Sequence, residues 1–390
     1  MSKVRRKVAR LISIVYFLQG ALGISSIAVP LYLRSSDFSI RDIAFYNSIV
    51  VIPWFFKIIY GIISDSYPIF ELRRKPYLFI AAFFGGLGWF LMAIVPPKML
   101  FLAVSMMIAN LGFAMIDVVT DGIVVEHSNA RNAQVYQSIS WGMRSLGAVM
   151  SGVLGGYLAA SIDYRLIFLM TVFFPVAAGI AAIFYEEEKV TALRSANAFD
   201  AIKKSFQHLM AGDLRWFCLL LFIFSLASSF FTPLFFHMRE TLHFDEKFLG
   251  LLGSATWVGA AIGCFFYLRF LKRLPLKRAL RMAVIVGFFE ILFCLWLHDH
   301  LSALIIFVSA GILGYVSLLP LSSTAAKLAH KTGVESSLFA ILMGIFSLGQ
   351  AVSTFAGGWL SEKIGIYSLI ILTALCTLSG FTVIKKLKTL

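Results

Sequence analysis

Charge is what this 390-residue chain lacks most. Asp, Glu, Lys and Arg make up 14% of it, against roughly a quarter in a soluble globular domain. A chain so poor in charge cannot clothe a water-facing surface, which excludes the ordinary soluble class. Cysteine is scarce as well. Cys218, Cys264, Cys294 and Cys376 all lie in apolar stretches without C-x-x-C spacing, which suggests neither a disulfide framework nor a thiolate metal site. G-x-S-x-G, H-E-x-x-H, a P-loop and a strand-borne G-x-G-x-x-G are all missing. The chain therefore reads as no enzyme, with no cofactor. Any work it does on a solute must be driven by a gradient, with protons the expected source.

What is present is apolar length. Hydrophobic residues account for 59% of the chain, and Phe alone occurs 38 times. Apolar stretches of roughly 18–25 residues, enough to cross a bilayer as helix, recur at 11–33, 43–63, 77–95, 99–125, 138–160 and 166–185. They continue at 214–236, 248–268, 279–297, 302–325, 336–360 and 365–384. These twelve must be helices, because lipid offers the backbone no hydrogen-bond partners and the short alternating segments of a barrel are missing. The expected class is an all-α integral membrane protein.

The net charge of +14 is topological. With the N-terminus inside, inner loops and tails hold 25 of the 34 Lys and Arg, the positive-inside pattern with both termini cytoplasmic. No nucleic-acid footprint is needed. The opening "MSKVRRKVAR" and its apolar run lack a small-residue cleavage site and read as a retained first helix.

The chain is duplicated. Residues 145–158, "SLGAVMSGVLGGYL", match 347–360, "SLGQAVSTFAGGWL", at seven of fourteen positions with an offset of 202. The same offset pairs Leu111-Gly112 with Leu313-Gly314, and 203 pairs Trp54 with Trp257 and Pro30 with Pro233. Two parallel six-helix repeats follow: an N-terminal bundle over 1–185 and a C-terminal one over 214–390, joined by a cytoplasmic linker at 186–213. In the linker, Phe199, Ile202, Phe206 and Leu209 have helical spacing; a short amphipathic helix and a flexible connection fit it equally well. Halves facing each other across a cavity, lined mainly by helices 1, 4, 7 and 10, are the secondary-transporter plan.

The duplication also acts as an internal control on the buried charges. Lys57, Asp65, Asp117, Asp121 and Arg144 correspond to Ala260, Leu268, Leu319, Ser323 and Phe346. A scaffold role shared by both halves would not need charge in only one. By helical rise, Lys57, Asp117 and Arg144 lie roughly 9–12 Å from the inner ends of helices 2, 4 and 5, so they are expected to neutralise one another. Asp117 and Asp121, four apart, share a face. Ionisable residues at such depth point to a functional site, with a structural ion-pair network as the plainer alternative. Gln19 and Gln350 are weaker candidates to face the cavity, and Glu290, midway along helix 9, has no assigned role.

"GIISDSYPIFELRRKPY" (61–77) resembles the helix 2–3 loop of the major facilitator superfamily, with Gly61, Asp65, Arg73 and Arg74 in its motif positions. "PWFFKIIYG", "YFLQGALGISSIAVPLYL", "AMIDVVTDGIVVE", "WGMRSLGAVMSG" and "AAKLAHKTGVESSLFAILMGIFSLG" narrow the resemblance to the folate-biopterin transporter family, over nearly the whole chain. The resemblance implies a major facilitator fold and a proton-linked symporter of folates or pterins in the cell (inner) membrane, acting as a monomer. Its intramembrane charges map onto Lys57, Asp117, Asp121 and Arg144. Asp117 is then expected to couple protons and touch substrate, Lys57 and Arg144 to bind anionic groups, and Asp121 to support them. Asp65, Arg73 and Arg74 are expected to act on the conformational switch, Asp65 facing the start of helix 11 near Glu335. Related carriers of muropeptides or acetyl-CoA are the alternative, followed by a non-transporting receptor.

Overall fold

A computed structural model of the chain describes residues 3–127, 133–189, 209, 212–271, 273–329 and 335–387. Among them all the regular secondary structure is helical, and the connections hold one isolated antiparallel bridge, between Ile69 and Leu72. The first half runs α1 (Lys3–Ala21), α2 (Ala28–Ser35), α3 (Ile40–Ile49), α4 (Ile52–Phe55), α5 (Lys57–Ser66), α6 (Lys75–Ile94), α7 (Met99–His127), α8 (Ala133–Ser161), α9 (Tyr164–Thr171) and α10 (Phe173–Ile183). The second runs α11 (Gly212–Ser225), α12 (Phe231–Phe236), α13 (Glu246–Phe266), α14 (Leu276–Phe293), α15 (His300–Ala329), α16 (Glu335–Leu378) and α17 (Gly380–Lys386).

Ten helical stretches among the described residues are long and apolar enough to cross a membrane, so the chain is a multi-pass membrane protein. Two features separate this ten from the expected twelve. The last stretch, Leu338–Lys386, is interrupted at Gly365, whose φ of 76° only glycine adopts without strain. The helix α8, 29 residues long, has the length but falls short in apolarity, because Arg144 and many serines and glycines sit in it.

The chain divides into two compact units. One comprises Met1–Asp37, Ile49–Ala196 and Glu246–Ser254; the other comprises Phe38–Ser48, Asn197–Asp245 and Ala255–Leu390. Of the proposed linker helix only Leu209 lies within the described residues.

Within each unit the first membrane stretch loosens for the same reason. Pro30 cannot donate to the Ser26 carbonyl, and a 3-10 turn at Leu22–Ser25 separates α1 from α2. Pro233 likewise cannot serve Ser229, and a 3-10 turn at Leu226–Phe230 separates α11 from α12. Both loosened stretches are tied to the fifth helix of their repeat by one serine. Ser151 Oγ donates to Gly20 O at 3.0 Å, and Ser353 Oγ donates to Ser225 O at 2.8 Å. Small residues make this approach possible. A methyl group at Gly20 would lie 2.0 Å from Arg144 O, so α1 and α8 touch backbone to backbone there.

Candidate functional site

The site is built on a broken second helix. Pro53 sits in the first turn of α4, where its missing N–H does no harm, and Phe56 leaves helical geometry between α4 and α5. The break is braced by Trp54, whose Nε1 donates to Asn110 Oδ1 at 2.9 Å, while Asn110 Nδ2 donates to Val50 O at 2.8 Å. Lys57 opens α5. Its ammonium donates to Asp117 Oδ2 on α7 and lies 4.4 Å from the Trp54 ring centroid. Asp117 is 5% exposed. A buried carboxylate is tolerable only when paired, and Lys57 supplies the pairing.

One turn along α7, Asp121 Oδ1 accepts a hydrogen bond from the Tyr16 hydroxyl of α1. Arg144 does not complete the expected three-way neutralisation. It stands 5.8 Å from the Trp141 ring centroid and makes no ion pair among the described residues. Gln19, on the α1 face of Tyr16, has both amide atoms buried with no hydrogen-bond partner among the described residues, and Thr120 Oγ1 on α7 is in the same condition. The structure thus brings together Lys57 with Asp117, and Asp121 with a residue the sequence reading missed. Tyr16 was hidden because a tyrosine in an apolar helix is ordinary; its spacing of three from Gln19 was the available signal.

A second cluster closes the end of this unit at which α5 stops and α6 begins. Arg74 is buried. Its Nη2 contacts Asp65 Oδ1 at 2.5 Å and Glu126 Oε1 at 2.7 Å, and its Nη1 donates to Ser64 Oγ at 2.9 Å. Burial works against its charge, but Glu126 and Asp65 outweigh it, so the guanidinium holds its proton more firmly than an ordinary arginine. A methyl at Gly122 would strike that guanidinium at 2.6 Å, so Gly122 makes room for it. Glu187 caps the start of α6, taking Arg73 N at 2.6 Å, Arg74 N at 2.8 Å and Lys75 N at 2.8 Å. Of the switch residues, Asp65, Arg73 and Arg74 meet here. Gly61 is set apart, facing Val118 on α7. Glu335 opens α16, with its side chain outside the described residues. Glu126, in the last turn of α7, and Glu187, in the segment that follows α10, were missed because charges at helix ends and in connecting segments are common and carry no signal of their own.

The model of the BT1 family matches residues 19–378. The chain belongs to the BT1 family. A folate-biopterin transporter of Synechocystis sp. (strain ATCC 27184 / PCC 6803 / Kazusa) is 27% identical over 387 residues, covering 93% of this chain and 78% of its own. Folate transporter 1 of Plasmodium falciparum (isolate 3D7) is 23% identical, covering 91% of this chain and 73% of its own. The crystal structure of the nucleoside transporter NupG superposes with a TM-score of 0.79 at 12% identity, over 98% of this chain and all of that one. At that identity the likeness concerns the fold alone, which is the major facilitator fold. This BT1-family protein is a membrane transporter.

Proposed function

We propose that this BT1-family chain is a secondary active transporter of folate- or pterin-type compounds, working by alternating access and coupled to protons through Asp117. The observation that carries the reading is the Lys57–Asp117 ion pair, its carboxylate buried and its ammonium partly so, between otherwise apolar membrane stretches. As a pair it is neutral. A proton on Asp117 releases the Lys57 ammonium, which can then take a substrate carboxylate. Proton and anion together leave the site neutral again, whereas either alone leaves a net charge in a low-dielectric layer, which is costly. That asymmetry couples the two.

Arg144, without an ion pair among the described residues, offers a second cation for a glutamate-type tail, and carboxylates suit such a guanidinium. Tyr16 holds Asp121 in its supporting place. The Arg74 cluster, with Gly61, Asp65, Arg73 and Glu335, acts on the conformational switch. The carrier works as a monomer in the inner membrane, with both termini in the cytoplasm.

Uptake of radiolabelled folate into proteoliposomes holding the purified protein tests this, with pterin, muropeptide and acetyl-CoA as competitors. Accumulation is expected under an acid-outside gradient, with inhibition by pterin. Asp117→Asn should lose accumulation and keep substrate exchange, which moves no net proton. Accumulation by Asp117→Asn under the same gradient would overturn proton coupling there. Inhibition by muropeptide or acetyl-CoA but not by pterin would overturn the substrate class.

A further inference from the structure

Gln19 is a polar group of the first unit that the ion-pair mechanism leaves unused. Its stem is half-buried in α1, yet neither Nε2 nor Oε1 has a partner among the described residues. A buried amide with nothing to bond is unfavourable, and one that persists in an apolar helix points to a partner from outside the chain.

Its level in the bundle can be read from neighbouring contacts. Lys7 of α1 pairs with Glu186, and His127 at the end of α7 lies against Tyr185, ring centroids 6.2 Å apart. The start of α1 and the end of α7 therefore share one end of the unit, and the two helices run antiparallel. The Tyr16–Asp121 hydrogen bond fixes their register. From Tyr16, three residues along α1, about 4.5 Å, reach Gln19 on the same face; from Asp121, four residues back along α7, about 6 Å, reach Asp117. The Gln19 amide thus stands at the level of the Lys57–Asp117 pair. Thr120, fully buried on α7 between the two aspartates, adds a second unpartnered polar atom near that level.

The chemistry of the group narrows what it takes. A carboxylate would satisfy only Nε2 and set its charge against Oε1; a cation would satisfy only Oε1. An edge with N–H and C=O side by side satisfies both atoms at once, in two parallel hydrogen bonds. The geometry points to Gln19 as the residue that reads the lactam edge of a 4-oxopterin ring, while Lys57 and Arg144 take the acidic tail. This rests on the folate or pterin reading above and deepens it by dividing ring from tail.

Competition against tritiated folate, on the full-length protein in nanodiscs, separates the two parts. The probes are pterin-6-carboxylate, which has the ring without the tail, and p-aminobenzoyl-glutamate, which has the tail without the ring. Gln19→Leu should weaken pterin-6-carboxylate by tenfold or more and leave p-aminobenzoyl-glutamate within twofold. Its ligand-free melting midpoint should not fall, since no bond within the chain is lost. Gln19→Glu, which keeps shape but replaces the donor, should show the same selective loss and provides the test if the leucine variant fails to fold. Equal loss for both probes, or none for the ring, in a folded variant overturns the inference while leaving the transporter reading intact. A wild-type protein that binds none of the three compounds overturns both.

Discussion

Helices 2 and 4 of the first unit and their counterparts in the second are held together by opposite means. In the first, polar side chains reach across: Trp54 to Asn110 at 2.9 Å, and Lys57 to Asp117. In the second, α13 and α15 close to backbone contact. A methyl at Gly259 would lie 2.2 Å from Val308 O, and one at Gly263 would lie 2.4 Å from Ile312 O. Ala260 and Leu319 stand where the ion pair would be. The serine ties from the fifth helix to the first are retained in both units. Duplication preserved the joints, and the first unit departed from them where charge had to be accommodated.

The largest effect should come from making the first unit like the second at that point. Lys57→Ala alone strands a buried carboxylate, and Asp117→Leu alone strands an ammonium. Each should cost about 3 kcal/mol, the lower end for a broken buried pair, because the Lys57 side chain is 34% exposed. The double variant reproduces the Ala260 and Leu319 of the second unit and should recover most of that stability while transporting nothing. Melting midpoints and uptake on all three variants check it. A double variant as unstable as the sum of the singles would mean that the two charges serve separate partners.

A second contrast concerns the third and fourth helices. Gly88 of α6 meets α7 so closely that a methyl there would lie 2.1 Å from Ala109 N. The corresponding residue in α14 is Glu290, whose carboxyl fills the notch left by Gly314 on α15, 3.2 Å from where a methyl would sit. Glu290 occupies space that the first unit eliminates by close approach. Gly88→Ala should therefore cost about 1–3 kcal/mol through forced separation of α6 and α7. Glu290→Gln, of equal shape, should stay within about 0.5 kcal/mol and transport normally. Loss of uptake by a well-folded Glu290→Gln would give that carboxyl a functional role instead.

How much of this could be read from the sequence depends on what each residue contrasts with. Lys57, Asp117, Asp121 and Arg144 stood out because charge is rare in apolar stretches and their repeat partners are uncharged. The broken first helix of each half was legible in Pro30 and Pro233 only as a matched pair. Pairing was less legible. Depth along a helix follows from the rise per residue, but side-chain pairing depends on tilt and packing, and the ion pair expected of Arg144 is not made among the described residues. Arg74 was named for its motif, yet Glu126 and Glu187 bind it at side chain and backbone from elements more than 50 residues away, beyond the reach of local spacing.

The end of the first unit offers a contrast of intermediate size. Arg74, Asp65, Glu126 and Ser64 form a charged cluster there, while at the matching corner of the second unit Tyr267 makes a neutral contact with Ser323 at 3.4 Å. Asp65→Asn removes one of the two anions on Arg74. It should change the transport rate severalfold and leave equilibrium substrate affinity within twofold, as read by uptake kinetics beside direct binding. A large loss of affinity at an unchanged rate would move Asp65 from the switch to the binding site.

The smallest effect lies at the corner between the third and fourth helices, where Pro97 of the first repeat corresponds in sequence to Asp299 of the second. Asp299 caps α15 reciprocally with Ser302: Ser302 N donates to Asp299 Oδ1 at 2.7 Å, and Asp299 N donates to Ser302 Oγ at 2.9 Å. The backbone and side-chain bonds from Ser302 hold the Asp299 carboxyl below the usual carboxylate range. A depressed folded value means that the cap stabilises above the unfolded value and loses its contribution as pH falls through the folded one. Wild type should therefore melt slightly higher than Asp299→Asn near neutrality, and the gap should close below about pH 4. The side chain is exposed, so the gap should be small and should shrink with salt. A difference that persists unchanged to pH 3 would show that the bond geometry, which Asn retains in part, matters more here than the charge.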